Sequence, residues 1–428
     1  MGDGKMMGRR EFIALQGAAL AVAASGESVQ PHGDVDTHVP RIDRSGVLPR
    51  NRRPYAGIDW AKAIQLHGTT HMHQHNDVLQ VIKERNIEFL TLSNYYPSAP
   101  TCPLRDAIHP RGLPTSDWPV MFKGRRIKGP FLWNRIMSEW AEELPPERRR
   151  LLPFPRQSKT FRPEDVPQGI LEAPNAEHFG FKLKNGKDEA RNLHICAPGS
   201  AYASGTFDAR NRMKTQSHGY CMGSGEFWGT AVDRMIEGLV CPDGGGVTIN
   251  HPTWTKLDRA FLLELLDWDP RVLGIEILEA GTNSEHYWDW ALSTGRQCFG
   301  FCVPDHSQHI EDFGVSVLVV QERSVEACLR AYRNGDFYGS AHGLGELRFT
   351  SISFGDMSVR ATTDKPARFE IVTARGVQKT VEGTSVEWTC PADDKDRKGP
   401  QVEVFARIHA TAIDGCGERL FSQAYMLT

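Results

Sequence analysis

The sequence predicts an α/β protein in which a barrel of alternating strands and helices precedes a β-rich tail. From Ile58 onward, short apolar runs alternate with segments whose apolar residues recur at helical spacing. From about Phe349 to the end, apolar and polar residues alternate with a period of two. Strands separated by helices favour a parallel sheet, and closure into a barrel is the economical arrangement for so many units.

The N-terminal region is predicted to lie outside this fold. The pair Arg9-Arg10 precedes an apolar stretch at residues 14–24, which is shorter than the ~20 residues that span a bilayer. Residues 1–25 are therefore predicted to be a removable Tat-type signal, which implies the Tat export machinery as a partner and a periplasmic or extracellular location. An amphipathic helix with a chance Arg-Arg pair is the alternative. Residues 26–56, rich in Pro and Arg, are predicted to be a flexible linker.

The predicted barrel occupies residues 57–345, and its elements follow from the local patterns. A strand at 63–69 leads to a helix at 76–85, capped by Asn76, and then to an apolar strand at 87–92. Further helices and the strands that follow them are predicted at 227–240 and 247–250, 259–266 and 272–278, and 284–293 and 298–303. A strand at 315–320 precedes the last helix, at 325–333.

Two regions interrupt or follow that alternation. Residues 97–167, rich in Pro, Trp and Arg, are predicted to be an insertion or lid with one helix at 132–143. Residues 346–428 are predicted to form a small β-sandwich domain. Its strands are expected at 352–354, 369–372 and 402–405.

Composition excludes some partners. The net charge of −3 gives no basis for binding nucleic acid or an anionic membrane. No segment reaches membrane-spanning length, so no transmembrane span is predicted. Nine cysteines without a Cys-x-x-Cys pair do not suggest a disulfide framework. The predicted partners are a small-molecule substrate and the export machinery, and neither nucleic acid nor a membrane span is expected.

A histidine-rich segment is the strongest functional signal. His71 and His73 stand two apart at the end of the first predicted strand, so their side chains point to the same face. Two imidazoles that converge from one rigid strand end supply the first two ligands of a divalent transition metal. A pair of core or surface histidines without a metal is the alternative.

Further metal-binding residue types follow other predicted strands. They are Glu177, His194, His251 before Pro252, Asp305 and His306. Each is predicted to lie at the carboxyl end of a strand, the face at which β/α barrels build their active sites. A single such residue is more often structural, but their repeated placement in one architecture predicts a metal site.

The order of these residues resembles the PHP (polymerase and histidinol phosphatase) metal-dependent hydrolases, and most closely their exported CehA/McbA-like branch. The segments at 274–278, 288–296 and 329–340 also resemble that family. The resemblance implies a distorted (β/α)7-type barrel over about residues 57–345. It implies that the metal ligands are His71, His73, Glu177, His194, His251 and Asp305, with His306 as a weaker candidate.

The sequence departs from the family pattern at three places. The family's usual Thr-Asp-His is Ser93-Asn94-Tyr95 here, which makes Asn94 a weaker candidate ligand. The family's Ser-Asp-Gly is absent, so His75 or Asp77 would have to replace it. The closing Asp-x-His is compressed to Asp305-His306. The resemblance still implies one to three divalent ions of Zn, Mn or Fe.

The implied activity is hydrolysis by metal-activated water, with a phosphoester as the expected substrate. Glu177 is expected to bridge two metals, and Asp305 or His306 to act as ligand or proton acceptor. Basic residues in the insertion are candidates for binding a phosphate, or belong to an exposed loop: Lys123, Arg125, Arg126 and Lys128. The alternatives are hydrolysis of a carboxylic ester, carbamic ester or amide, an amidohydrolase-type barrel, and an exported protein that binds a metal or ligand without catalysis.

Overall fold

The computed structural model describes most of the chain from Arg52 onward. The described ranges are 52–73, 78–93, 103–107, 115–116, 120–122, 125–127, 131–132, 163–190, 193–202, 227–279, 281–305, 314–355, 357–391 and 404–427. The predicted export signal and most of the predicted linker lie outside them. Tyr55, which the linker prediction included, is buried, and its hydroxyl donates to the Phe337 carbonyl over 2.7 Å. The packed fold therefore begins before residue 57.

Seven helices occur in the described ranges, and most were expected from the sequence. They are α1 (Val78–Glu84), α2 (Leu104–Ala107), α3 (Trp228–Glu237), α4 (Pro252–Thr255), α5 (Arg259–Trp268), α6 (Glu285–Ser293) and α7 (Val325–Asn334), with a 3-10 turn at Pro163–Asp165. α5 begins where the Asp258 side chain accepts from the Phe261 N–H, and α7 where the Ser324 hydroxyl accepts from the Ala327 N–H. Left-handed Gly335 ends α7.

Strands account for the rest of the regular structure. Up to the start of the tail they are β1 (Ile64–Thr69), β2 (Ile87–Leu90), β3 (Thr115–Ser116), β4 (Val120–Phe122), β5 (Arg125–Ile127), β6 (Phe131–Leu132), β7 (Leu171–Glu172), β8 (Glu177–His178), β9 (Ile195–Cys196), β10 (Val247–Ile249), β11 (Val272–Glu279), β12 (Thr282–Asn283), β13 (Phe299–Val303), β14 (Gly314–Val320) and β15 (Phe337–Ala341). The tail contributes β16 (Phe349–Phe354), β17 (Ser358–Thr373), β18 (Gly376–Thr389), β19 (Phe405–Ala412), β20 (Arg419–Phe421) and β21 (Tyr425–Met426).

The strands form two large mixed sheets. The first has eleven strands in the order β16-β17-β19-β20-β15-β14-β1-β2-β7, with β18 against β17 and β21 against β19. The second has six strands in the order β12-β11-β10-β9-β8, with β13 against β11. The mixed α/β class is as predicted. Within the named strands no ladder joins the two sheets, but a Met72–Asp305 bridge beyond β1 and β13 and a bond from the Glu177 N–H to the Ser93 carbonyl beyond β2 link them. The closed barrel stays a prediction.

The expectation of a parallel sheet is wrong for several strands. β1 is parallel to β2 but antiparallel to β14, and β10 is parallel to β11 but antiparallel to β9. The antiparallel partners of β14 are β1 and β15, and those of β9 are β8 and β10. Apart from β15, which follows β14 through α7, and β8, which precedes β9, these partners are distant in the sequence. An apolar run therefore predicts a buried strand without fixing the strand's direction.

The predicted insertion is only partly described. Two short antiparallel pairs occur there, β3 with β6 and, between them in the chain, β4 with β5. The helix predicted at 132–143 is wrong at its first residue, because Leu132 belongs to β6, and its remainder lies outside the described residues. A lid function for this region stays a prediction.

The tail strands continue the first sheet. β20 pairs antiparallel with β15, and Gly339 is in register with Phe421. Phe421 and Met426 pack in the same apolar cluster as Ile275 and Trp288 of the second sheet and its helices. Within its described part, the tail has no helix, as its period-two pattern predicted. The exact domain boundaries stay a prediction.

No helix within the described ranges combines the length and the apolar character needed to cross a membrane.

Candidate metal centre

Six of the residues predicted to bind metal come together in one place, with one carboxylate added. We call this set the seven-residue cluster: His71, His73, Glu177, His194, His251, Glu276 and Asp305. All are buried except His194, which is partly exposed. The remaining candidates, His75, Asp77, Asn94 and His306, lie outside the described residues. The role of each as a ligand stays a prediction.

Four atoms of the cluster converge on one point. Nε2 of His71 lies 3.1 Å from Nε2 of His73 and 3.3 Å from Oε2 of Glu177. Nε2 of His73 lies 2.9 Å from the same Glu177 oxygen. Oδ1 of Asp305 is 3.0 Å from Nε2 of His71 and 3.4 Å from Nε2 of His73. Two imidazole nitrogens and two carboxylate oxygens therefore surround a common centre.

These separations match the demands of a metal ion. Ligands at ~2.0–2.2 Å from a tetrahedral ion lie roughly 3.3–3.6 Å from one another. The five separations of 2.9–3.4 Å are slightly shorter than, or equal to, those edges. Nitrogen and oxygen donors of this kind suit zinc, manganese or iron. The first group therefore fits a divalent transition metal in both chemistry and size.

A second group shares Glu177 with the first. Oε1 of Glu177 lies 2.8 Å from Nδ1 of His194 and 3.2 Å from Nε2 of His251. The amide of Asn250 donates to the same oxygen over 3.3 Å. One carboxylate thus directs Oε2 to His71 and His73 and Oε1 to His194 and His251. This is the arrangement that the bridging role predicted for Glu177 requires.

Backbone bonds hold the first group in register. The Asp305 N–H donates to the His71 carbonyl over 3.0 Å, and the His73 N–H donates to the Asp305 carbonyl over 3.4 Å. Met72 between the histidines forms a parallel bridge with Asp305. Because His71 and His73 flank Met72 on an extended backbone, both rings face the cluster while Met72 enters the core.

The second group depends on strands that run in opposite directions. Glu177 lies on β8, which pairs antiparallel with β9, and β9 pairs antiparallel with β10. The prediction that His194 follows a strand is wrong, because His194 precedes β9. Since β9 is antiparallel to β10, its amino end lies beside the carboxyl end of β10, next to His251. The Asn250 N–H donates to the His194 carbonyl over 3.0 Å and fixes that edge.

Two members of the cluster have strained backbones. His251 has φ 31° and Asp305 has φ 45°, so both lie at positive φ without being glycine. Such conformations cost about 1–3 kcal/mol each and persist where the surrounding contacts enforce them. Each residue lies two positions beyond the last residue of its strand, His251 after β10 and Asp305 after β13.

Sequence reasoning missed Glu276 as a member of the cluster. It lies on β11, fully buried, and its Oε1 is 2.8 Å from Nδ1 of His71. Its Oε2 accepts from the His251 backbone N–H over 2.8 Å. The available signal was a lone carboxylate in an apolar strand, since a buried charge needs a partner.

Two buried asparagines also support the site. The Asn175 amide donates to the Thr70 carbonyl over 2.8 Å and to the Thr91 carbonyl over 3.1 Å, while its oxygen accepts from the Ala197 N–H. The Asn250 oxygen accepts from the Cys196 N–H over 3.1 Å. The residues that flank Asn175 and Asn250 in the sequence do not indicate these roles.

The electrostatics of the cluster favour a cation. Burial lowers the pKa of His71, but the carboxylates of Asp305, Glu276 and Glu177 outweigh it and raise that pKa well above its usual value. Burial raises the pKa of Glu177, yet the adjacent histidines, His71 and His194 foremost, hold it well below its usual value. Glu177 is therefore an anion that demands neighbouring positive charge.

His178 is a buried histidine next to Glu177 in the sequence that does not belong to the cluster. It follows Glu177 on β8, and side chains on a strand alternate, so its ring enters the opposite face. That ring lies 5.3 Å from the Tyr202 ring, and burial lowers the pKa of His178 to about 3. His178 is consequently a neutral core histidine outside the cluster.

Aromatic side chains border the described site on the side of His194. The Phe179 ring stacks on the His194 ring at 5.4 Å, and the Trp254 ring lies 5.0 Å from that of His251. Phe179, His194 and Trp254 are partly exposed, whereas the other members of the cluster are buried. Among the described residues around the cluster, the exposed surface therefore lies on this side.

The fold and the cluster define a mixed α/β protein in which three overlapping groups of buried or partly buried side chains can hold metal ions: His71, His73, Glu177 and Asp305; Glu177, His194 and His251; and His71, His251 and Glu276. No protein-family model matches the chain. No curated protein matches it. Among solved structures, it is similar to a two-domain protein from Bacteroides vulgatus containing a predicted PHP-like metal-dependent phosphoesterase. The identity is 12% and the TM-score 0.36, and the match covers 86% of this chain and 95% of that chain.

Proposed function

We propose that this protein is a metal-dependent hydrolase that holds two divalent ions and cleaves a phosphoester. The observation that carries the proposal is the division of the Glu177 carboxylate between two pairs of histidines, with oxygen–nitrogen separations of 2.8–3.3 Å. Shared carboxylates of this kind are typical of hydrolases with paired metal ions. The resemblance of the motif order to PHP hydrolases points to the same class.

The residues have distinct proposed roles. Bound divalent ions supply an acidified water and charge stabilisation for the substrate oxygens. Glu177 holds both positions together, because each of its oxygens faces a different histidine pair. Asp305 lies two residues beyond β13, and its Oδ1 is close to Nε2 of both His71 and His73. From this position it would bind the first metal ion or accept the proton of the attacking water. His306, outside the described residues, shares that proposed role.

A carboxylic or carbamic ester is the second candidate substrate. The aromatic rings of Phe179 and Trp254 border the cluster beside His194 and His251, and such apolar surfaces suit an uncharged ester. A dianionic phosphoester would gain further stabilisation from charge-assisted hydrogen bonds with lysine or arginine. The proposed sources are the basic residues of the insertion, from Lys123 to Lys128, whose side chains lie outside the described part.

Elemental analysis of the purified protein tests the metal site. We expect two tightly held ions of Zn, Mn or Fe per chain, and loss of at least one of them in His71→Ala. His286→Ala is the matched control, since His286 is an exposed histidine on α6. A chain that stays metal-free after supplementation would contradict the proposal and favour a binding protein without catalysis.

Turnover then separates the substrate classes. Metal-loaded protein is assayed with p-nitrophenyl phosphate and with p-nitrophenyl acetate, beside His71→Ala and His286→Ala. Hydrolysis of the phosphate that is lost only in His71→Ala supports the phosphoesterase. Hydrolysis of the acetate alone, with the same dependence on His71, would replace it by the carboxylic ester activity.

We also propose that the protein is exported through the Tat pathway, on the strength of Arg9-Arg10 and the short apolar stretch that follows. Arg9→Lys combined with Arg10→Lys is expected to retain the protein in the cytoplasm. Arg41→Lys combined with Arg44→Lys, beyond the predicted signal, is the control. Unchanged export of the first double variant would overturn the proposal.

A further inference from the structure

Glu276 contacts a histidine of each group, His71 in the first and His251 in the second. Its own oxygens are not among the four atoms that converge in the first group. Its side chain is fully buried on β11. Oε1 lies 2.8 Å from Nδ1 of His71, in the first group. Oε2 accepts from the backbone N–H of His251, in the second group, also over 2.8 Å. Both acceptor oxygens are thus committed to histidines that face a proposed metal position.

We propose that Glu276 is a positioning residue that prepares both metal positions at once. The proposal rests on the proposed function, since it concerns the same pair of ions. Its first action is on the tautomer of His71. When Nδ1 carries the proton and donates it to Glu276, the lone pair of Nε2 is left facing His73, Glu177 and Asp305. Carboxylates in this outer position are known to orient metal-binding imidazoles and raise their basicity.

Its second action is on the backbone of His251. His251 has φ 31°, which is a strained backbone conformation for any residue that carries a Cβ. The bond from its N–H to Glu276 holds the turn in which Nε2 of His251 lies 3.2 Å from Oε1 of Glu177. Without this acceptor, the buried N–H loses its partner, and the turn loses a contact that offsets its strain.

A carboxylate is required because both partners are donors. Glutamine has the same shape but offers one acceptor oxygen and one donor NH2 group. If the oxygen faces His71, the NH2 group meets the His251 N–H, and two donors oppose each other. If the NH2 group faces His71, it favours the tautomer with the proton on Nε2, which removes the lone pair from the metal position. Glu276→Gln therefore disturbs one group or the other in either orientation.

The test measures metal binding to the full chain rather than activity. Metal-free protein is titrated with Zn²⁺ or Co²⁺, for the parent, Glu276→Gln and Ile277→Val. Ile277 is the next residue on β11, is buried on the opposite face and packs in the apolar core, so its variant controls for weakened packing. We expect Glu276→Gln to bind metal about 10–100-fold more weakly, and Ile277→Val to bind as the parent does.

Histidine tautomers give a second readout that needs no variant at Glu276. In protein labelled with 15N-histidine, the resonances lost in His71→Ala identify the His71 ring. We expect that ring to carry its proton on Nδ1 when Zn²⁺ is bound, and a proton on Nε2 would overturn the proposal. This readout applies even if Glu276→Gln does not fold.

The outcomes separate this proposal from the proposed function. A parent protein that binds no metal contradicts the proposed function itself. A parent that binds two ions, with Glu276→Gln binding them equally tightly, contradicts only the role of Glu276. Equal weakening in Glu276→Gln and Ile277→Val would assign the effect to general destabilisation and also overturn that role.

Discussion

At the scale of single residues, the two oxygens of Glu177 divide the cluster into separable halves. Oε2 faces His71 and His73, while Oε1 faces His194 and His251. We therefore expect graded metal loss. His73→Ala and His194→Ala should each remove one ion per chain, because each variant leaves the other half with both of its histidines and Glu177. Glu177→Gln should remove both ions, since it takes the anionic charge from both halves.

Elemental analysis under limiting metal measures this gradation, and thermal melts show that the variants remain folded. His178→Ala is the neighbouring control, because His178 is a core histidine on the opposite face of β8. Equal metal content in His73→Ala and Glu177→Gln would contradict the shared role of Glu177.

The cluster also makes the stability of the metal-free protein depend on pH. The carboxylates raise the folded-state pKa of His71 well above its usual value and that of His73 above it. The stabilisation from these protonated histidines is complete below about pH 6.5, the unfolded value, and is lost as the pH rises through the folded values. In a chelator, we expect the melting temperature to fall as the pH increases above about 6.5.

Bound metal should reverse this trend, because metal binding requires deprotonated imidazoles and is favoured at higher pH. Thermal melts of the parent in EDTA and in Zn²⁺, across the same pH series, provide the comparison. His71→Ala in EDTA should show a weaker decline. A metal-free melting temperature that rises with pH over this range, to the same extent in both proteins, would contradict the assignment.

At the scale of secondary-structure elements, sequence patterns predicted position better than direction. α5 and α7 fall close to their predicted bounds, because local signals set their ends. The side chains of Asp258 and Ser324 cap the first turns of α5 and α7, and left-handed Gly335 ends α7. The antiparallel course of β9 and β14 has no local signal, because it depends on which distant strand each one pairs with. For the same reason, His194 was placed at the wrong end of its strand, and Glu276 was not assigned to the site.

The turn between α7 and β15 contains a carboxyl group that we expect to lower stability at neutral pH. Burial raises the pKa of Asp336 to about 6, although its Oδ1 accepts from the Tyr55 N–H over 2.7 Å. The unfolded value is about 3.9, so the folded state binds the proton more tightly and stability falls as the pH rises from about 4 to 6. Asp336→Asn keeps an acceptor for Tyr55 and should be more stable by about 1–3 kcal/mol above that window.

Urea unfolding of the parent and Asp336→Asn at about pH 4 and pH 7 measures this effect. The variant should gain stability only at the higher pH, where the parent carboxyl is charged. A variant that is less stable than the parent at neutral pH would mean that the charged carboxylate is needed by its partners.

At the scale of the whole molecule, the tail is joined to both sheets by polar contacts as well as apolar ones. The buried Gln423 side chain accepts from the Gly300 N–H over 2.9 Å and donates to the Gly300 carbonyl over 3.0 Å. It therefore satisfies both backbone polar groups of Gly300 on β13. Arg407 on β19 donates to both Asp289 oxygens on α6, over 2.8 and 2.9 Å. Asp305 lies two residues beyond β13, so the tail braces a strand that leads into the metal centre.

Deletion of residues 346–428 tests whether the tail is an independent module. A separate β-sandwich would leave the metal centre intact when removed. The observed contacts predict the opposite, because deletion exposes the core around Ile275 and Trp288 and removes the Gln423 side chain that bonds to the N–H and carbonyl of Gly300. We expect the shortened protein to be insoluble or to unfold without cooperativity, with loss of bound metal.

Gln423→Ala gives a graded version of this experiment in a chain that still folds. It leaves the buried N–H and carbonyl of Gly300 without these partners, at a cost of about 1–3 kcal/mol for each unsatisfied group. Urea midpoints and metal content are measured together for the parent, Gln423→Ala and Gln378→Ala, whose side chain is exposed on β18. Only Gln423→Ala should lose stability, and its metal should dissociate faster because β13 carries Asp305. A deletion variant that unfolds cooperatively and retains two ions would instead establish the tail as a separate domain.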